Sequence, residues 1–174
     1  MRAAIGIVAA GTLMLSGTAH AAPKPQITDA TGDYQIASAD IVSGLLAVSG
    51  KGKYPTLIIR LTLAAPPVTT TPYSYVVSFK VGDCSFYAEY YGHPLDRVFS
   101  TSGVGCDDGS TSLPDGSVAV NGSAVVWSVP FDGSFKLGQK VTHLAAATEP
   151  GGAVTGTFPP PAGDAATGRD WIIK

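Results

Sequence analysis

Between residues 56 and 63 the chain sets Leu57, Ile59, Leu61 and Leu63 on alternate positions, with Arg60 and Thr62 between them. A period of two sends successive side chains to opposite faces of a strand, so this stretch is made to bury one face and leave the other to solvent. The pattern returns at 73–81, where Tyr73, Tyr75, Val77, Phe79 and Val81 alternate with Ser74, Val76, Ser78 and Lys80, and again at 84–91. Beyond the first 21 residues no segment keeps a 3.6-residue apolar period over three turns, and Gly, Pro and Asp cut the runs to strand length. The expected fold class is all-β, a single antiparallel two-sheet β-sandwich of jelly-roll or immunoglobulin-like kind.

Further strands are expected at 99–106, 117–120, 123–129, 141–147 and 171–173. Asn121-Gly122 between two of them suits a tight type I′ hairpin, whose central residues both need positive φ. The turn accounts for Asn121-Gly122-Ser123 without invoking a glycosylation sequon. Residues 149–168, rich in Gly, Pro and Ala around Pro159-Pro160-Pro161, are expected to be a loop.

The N-terminus reads as a secretory signal peptide. Arg2 is followed by an almost wholly apolar stretch to Leu15, and Ala19-His20-Ala21 offers small residues where signal peptidase reads, so cleavage is expected after Ala21. The apolar run falls short of the roughly 20 residues that span a bilayer, and Leu15-Ser16-Gly17 is followed by Thr18 rather than a lipidated cysteine. The expected organisation is a signal peptide over 1–21 and one β-sandwich domain over 22–174, secreted, with no membrane insertion of the mature chain. In an oxidising compartment an even cysteine count reads as a disulfide, here Cys84 with Cys106. Pairing 84–91 with 99–106 would bring the two cysteines opposite each other.

Eleven basic against thirteen acidic residues give a net charge of −2, with no run of Lys or Arg. A nucleic-acid partner, or an anionic membrane, has no electrostatic footprint here. The carboxylates are more informative. Asp29-Ala30-Thr31-Gly32-Asp33 is followed by Asp40-Ile41 at the start of another strand, so Asp29, Asp33 and Asp40 gather around a glycine turn. Oxygen ligands at this density suit calcium, although the spacing is not that of an EF-hand. The same residues also suit plain turns, since Asp bonds its own backbone and Gly supplies positive φ. A fainter copy, Asp164-Ala165-Ala166-Thr167-Gly168-Arg169-Asp170, lies near the C-terminus. The two copies imply either a shared ion site or two matched turns, with Arg169 available to neutralise Asp170.

These motifs, with Leu57-Ile58-Ile59-Arg60-Leu61-Thr62-Leu63 running into Ala65-Pro66-Pro67, Trp127-Ser128-Val129-Pro130, and Gly163-Asp164-Ala165, resemble secreted β-sandwiches of the DOMON and family-9 carbohydrate-binding type. The resemblance implies a two-sheet antiparallel sandwich that binds sugars or haem, in some members with calcium near the first acidic turn. Here that ion would fall on Asp29, Asp33 and Asp40. Haem is not expected: Met1 and Met14 leave with the signal peptide, and His93 and His143 remain without a methionine partner.

Sugar binding needs aromatic faces beside polar groups, and Tyr87, Glu89 and Tyr91 project together if Phe86, Ala88 and Tyr90 face the core. The same tyrosines would equally serve as the second face of an ordinary sheet. No nucleophile-elbow or zinc-protease motif is present, and Asp107-Asp108-Gly109 suits a turn. The expected function is therefore a secreted, non-catalytic binding module for carbohydrate. An exported structural or protein-interaction domain is the alternative, with a small hydrolase third.

Overall fold

In a computed structural model, the described residues are 23–50, 55–67, 72–92, 98–104, 116–131, 135–150 and 163–174, with only the backbone described for 98–104. The expected signal peptide, His93, Cys106, Asp107, Asp108 and the Pro159–Pro161 run lie outside them.

Among the described residues there is no helix, and the strands are β1 (Ile27–Thr28), β2 (Ile41–Ser49), β3 (Thr56–Leu63), β4 (Tyr73–Val81), β5 (Cys84–Gly92), β6 (Val98–Val104), β7 (Ser117–Asn121), β8 (Ala124–Pro130), β9 (Lys140–Pro150), β10 (Ala165–Thr167) and β11 (Trp171–Ile172). They form two antiparallel sheets. One runs β1-β2-β3-β8-β7; the other runs β10-β9-β4-β5-β6, with β11 also paired to β9. This is the arrangement of a β-sandwich.

The alternating residues do what their period dictates. Leu57, Ile59, Leu61 and Leu63 of β3 are buried, as are Tyr73, Tyr75, Val77, Phe79 and Val81 of β4 and Phe86, Ala88 and Tyr90 of β5. Val125, Trp127 and Val129 of β8 complete the inner layer, and Phe79 stacks on Phe86 with centroids 5.4 Å apart. Trp127 is fully buried, and its Nε1 donates to the Glu89 carbonyl of the opposite sheet at 3.1 Å, so its one polar atom is satisfied.

Three details depart from the expectations. The hairpin between β7 and β8 pairs Asn121 with Ala124, so its two-residue loop is Gly122-Ser123. Gly122 has φ 59° while Ser123 is not left-handed, which is the pattern of a type II′ turn with glycine first rather than type I′. Second, β5 and β6 pair Tyr91 with Val98 and Ser85 with Val104, one residue off the register expected to oppose the cysteines. Cys84 is half-buried against the core. Third, β10 forms inside the stretch expected to be a loop, and Ser74 and Val76, on the face of β4 that points away from the core, are also buried.

One long edge of the sandwich is laced shut. Ile27 bridges to Gly168, the Gly168 N–H donates to the Leu144 carbonyl at 2.7 Å, and the Arg169 N–H donates to the Gln26 carbonyl at 3.0 Å. The approach demands glycine: a Cβ on Gly168 would lie 2.8 Å from Ile27 Cγ1 and 2.9 Å from Leu144 Cδ2. Gly168→Ala should therefore destabilise the fold by about 1–3 kcal/mol, the usual effect of overpacking. Urea unfolding at constant m-value checks it. The lacing matters because it sets the loop after β1 against the segment that enters β10.

Candidate metal centre

Asp29 leaves β1 with its N–H bonded to the Val42 carbonyl at 3.1 Å, which fixes the start of the acidic turn beside β2. Its Oδ1 accepts from the Ala30 N–H at 3.0 Å, while Oδ2 is buried without a hydrogen-bond partner. The chain reverses at Gly32, whose φ of 91° favours glycine, and the Gly32 N–H donates to Asp40 Oδ2 at 2.7 Å. Asp40 is only 1% exposed, and its Oδ1 has no partner. Asp33 is exposed on the same turn, its carboxyl against that of Asp40.

The fourth carboxyl arrives from the other end of the chain. Asp164 precedes β10 and is buried; its Oδ2 accepts from the Ile41 N–H at 2.6 Å and its Oδ1 from the Ala165 N–H at 2.8 Å. Its backbone is held on Thr148 of β9: the Thr148 N–H donates to the Asp164 carbonyl at 2.9 Å, and Thr148 Oγ1 donates to the Ala39 carbonyl at 2.7 Å. Thr148 thus ties both acidic segments to one strand. Gly163 lets the chain approach this close, since a Cβ there would meet the Thr148 carbonyl oxygen at 1.5 Å.

Asp29, Asp33 and Asp164 each place one carboxylate oxygen so that all three lie within 4.8 Å of one another. Oxygens on opposite sides of a calcium ion, each about 2.3–2.6 Å from it, are about 4.6–5.2 Å apart, so the three can touch one ion. Asp40 is not one of these three, but its charge repels each of them. Among the described residues no Lys or Arg pairs with any of the four; the ion pair nearby in sequence joins Lys140 to Asp170 at 2.5 Å. Asp170 therefore finds Lys140 rather than Arg169, whose Nη2 donates to the Pro25 carbonyl at 3.4 Å.

Electrostatics record the crowding. The carboxyls of Asp29, Asp33 and Asp164 all titrate above the ordinary aspartate value, first because burial penalises their charged form and then because the other aspartates repel it, with a side-chain hydrogen bond to Asp40 also favouring the protonated form of Asp33. Hydrogen bonds from Ala30 to Asp29, and from Ile41 and Ala165 to Asp164, oppose the rise. A carboxyl with a higher pKa when folded holds its proton better in the native state. Its contribution to stability is complete below the unfolded value of 3.8 and is lost as pH rises through the folded value. In metal-free buffer the denaturation midpoint should therefore fall as pH rises from about 4 to about 7. Excess calcium should reverse the slope, since protons then compete with the ion for the same oxygens.

Of the residues expected to meet a sugar, Tyr87 is 36% exposed on the outer face of β5, whereas Glu89 and Tyr91 are half-buried. Glu89 Oε1 accepts from Ser74 Oγ at 2.9 Å, which engages the carboxylate within the sheet. Tyr87 instead borders a shallow depression with Ser78, Lys80, Ser85, His143 and Ala145. Asp164 was signalled in the sequence only by the echo of the first acidic turn.

The sequence matches no family model, and neither a curated protein nor a solved structure shows significant similarity to it.

Proposed function

We propose that this chain is an exported, non-catalytic binding module whose two ends are clasped together by one calcium ion held by Asp29, Asp33, Asp40 and Asp164. The observation that carries this reading is the pair of buried carboxylate oxygens without a hydrogen-bond partner, Asp29 Oδ2 within the three-carboxylate cluster and Asp40 Oδ1 on the turn beside it, with no Lys or Arg paired to either aspartate among the described residues. Orphaned buried acceptors cost about 1–3 kcal/mol each, and more when charged. A divalent cation answers both deficits at once, and its chemistry there is structural: it neutralises and orients. Export and a Cys84–Cys106 disulfide belong to the same proposal, supported by β6 ending at Val104, opposite Ser85 and two residues short of Cys106.

Carbohydrate is the second part of the reading, favoured by the exposed Tyr87 ring on the outer face of β5. A DOMON-like ancestry accords with both parts and remains part of the proposal. Calorimetric titration of calcium into chelator-stripped protein tests the clasp. One site per chain, lost in Asp33→Asn together with Asp40→Asn, is the expected result; no saturable heat, or heat unchanged in the double variant, overturns it.

A further inference from the structure

His143 has φ 51°, and it is the only non-glycine among the described residues in the left-handed region. It sits in a β-bulge: β4 pairs Ser78 with Ala145 and Lys80 with Thr142, so His143 and Leu144 together oppose Phe79. Glycine takes that conformation in such bulges without strain, whereas a side chain there is uncommon and is held by its surroundings. Leu144 turns inward and is buried, leaving the exposed His143 on the outer face. The bulge thus re-aims an imidazole out of the sheet.

The ring arrives somewhere particular. The outer face of β4 is buried at Ser74 and Val76 and opens toward Lys80. At that open end Tyr87, His143, Lys80, Ser78 and Ser85 border a depression of about 230 Å³, smaller than a drug-sized pocket and suited to one ring-sized group. Among the described residues no carboxylate lines it, although the chain as a whole carries more acidic than basic residues. Nδ1 of His143 contacts Thr142 Oγ1 at 3.1 Å, which leaves Nε2 for a ligand.

We propose that this depression binds an acidic saccharide, a uronate residue whose ring lies against Tyr87 and whose carboxylate is met by Lys80 and His143, with Ser78 and Ser85 available to hydroxyls. The proposal rests on the carbohydrate part of the function above and is independent of the ion. The test titrates protein held at constant free calcium with the trimer of galacturonic acid and, separately, with neutral cellotriose. The galacturonate trimer should bind, and the neutral trimer at least about tenfold more weakly, as expected when charge-assisted hydrogen bonds are lost. His143→Gly accepts the bulge conformation, so its melting temperature should be equal or higher while affinity falls by a similar factor; Lys80→Gln should do the same. Equal binding of the neutral trimer overturns the acidic assignment while leaving carbohydrate binding intact. Failure of both sugars to bind overturns both readings, and wild-type affinity in His143→Gly overturns the role given to the bulge.

Discussion

Stripping divalent cations from this protein at neutral pH is expected to lower its melting temperature by about 5–10 °C, and restoring calcium to recover it. The magnitude follows from mass action: a ligand at a hundred times its Kd stabilises the native state by about 2.7 kcal/mol, and a domain of this size moves roughly 2–4 °C for each kcal/mol. The direction follows from the cluster. Without an ion, three carboxyls crowd within 4.8 Å, their pKa values raised further by Asp40, and two buried oxygens are unpartnered; the proposed ion would turn that repulsion into coordination. Differential scanning calorimetry in chelator and then in excess calcium reads the change. Magnesium should restore less, because it demands a near-ideal octahedron at about 2.0–2.1 Å and gives up water reluctantly.

Asp164→Ala is expected to be among the most damaging single substitutions at the site, costing about 2–4 kcal/mol in calcium. Asp164 serves twice. Its carboxylate accepts from the backbone N–H groups of Ile41 and Ala165, and Ile41 is fully buried, so truncation strands a donor where water does not replace the partner. In the proposed clasp it also removes a ligand that would join the C-terminal segment to the N-terminal turn. Asp33→Asn makes the contrast, since Asp33 is exposed. In chelator it should leave stability unchanged or raise it by relieving repulsion, and in calcium it should be less stable than the wild type. Denaturation of both variants with and without calcium separates the hydrogen-bonding role of Asp164 from its role toward the ion.

What the sequence disclosed and what it withheld divide along physical lines. Strands with a long, regular period, such as β3 and β4, announce both their existence and their buried face, because the hydrophobic effect acts on each alternate residue. The first acidic turn was legible for a related reason: Asp29, Gly32, Asp33 and Asp40 lie within one short segment. β1 and β10, of two and three residues, carry no period to read and exist because tertiary pairing sets them on the edges of β2 and β9. Asp164 stands far from Asp40 in the chain, and only the folded edge brings them together. The hairpin shows the finer limit. Asn121-Gly122 marks a turn correctly, yet choosing between Asn121-Gly122 and Gly122-Ser123 as the loop depends on which register buries Val125 and Trp127. Likewise nothing in Thr142-His143-Leu144 foretells a bulge, which arises where β9 must satisfy both Thr142 opposite Lys80 and Ala145 opposite Ser78.

Whether one ion joins the two acidic segments is read most directly by anomalous diffraction from crystals grown in calcium, collected at long wavelength. The expected result is a single peak at about 2.3–2.6 Å from carboxylate oxygens of Asp29, Asp33 and Asp164, with Asp40 and ordered waters supplying the remaining oxygens of a roughly six- to eight-fold shell. A well-ordered cluster without a peak at millimolar calcium, with Asp33 turned out to solvent, would contradict it.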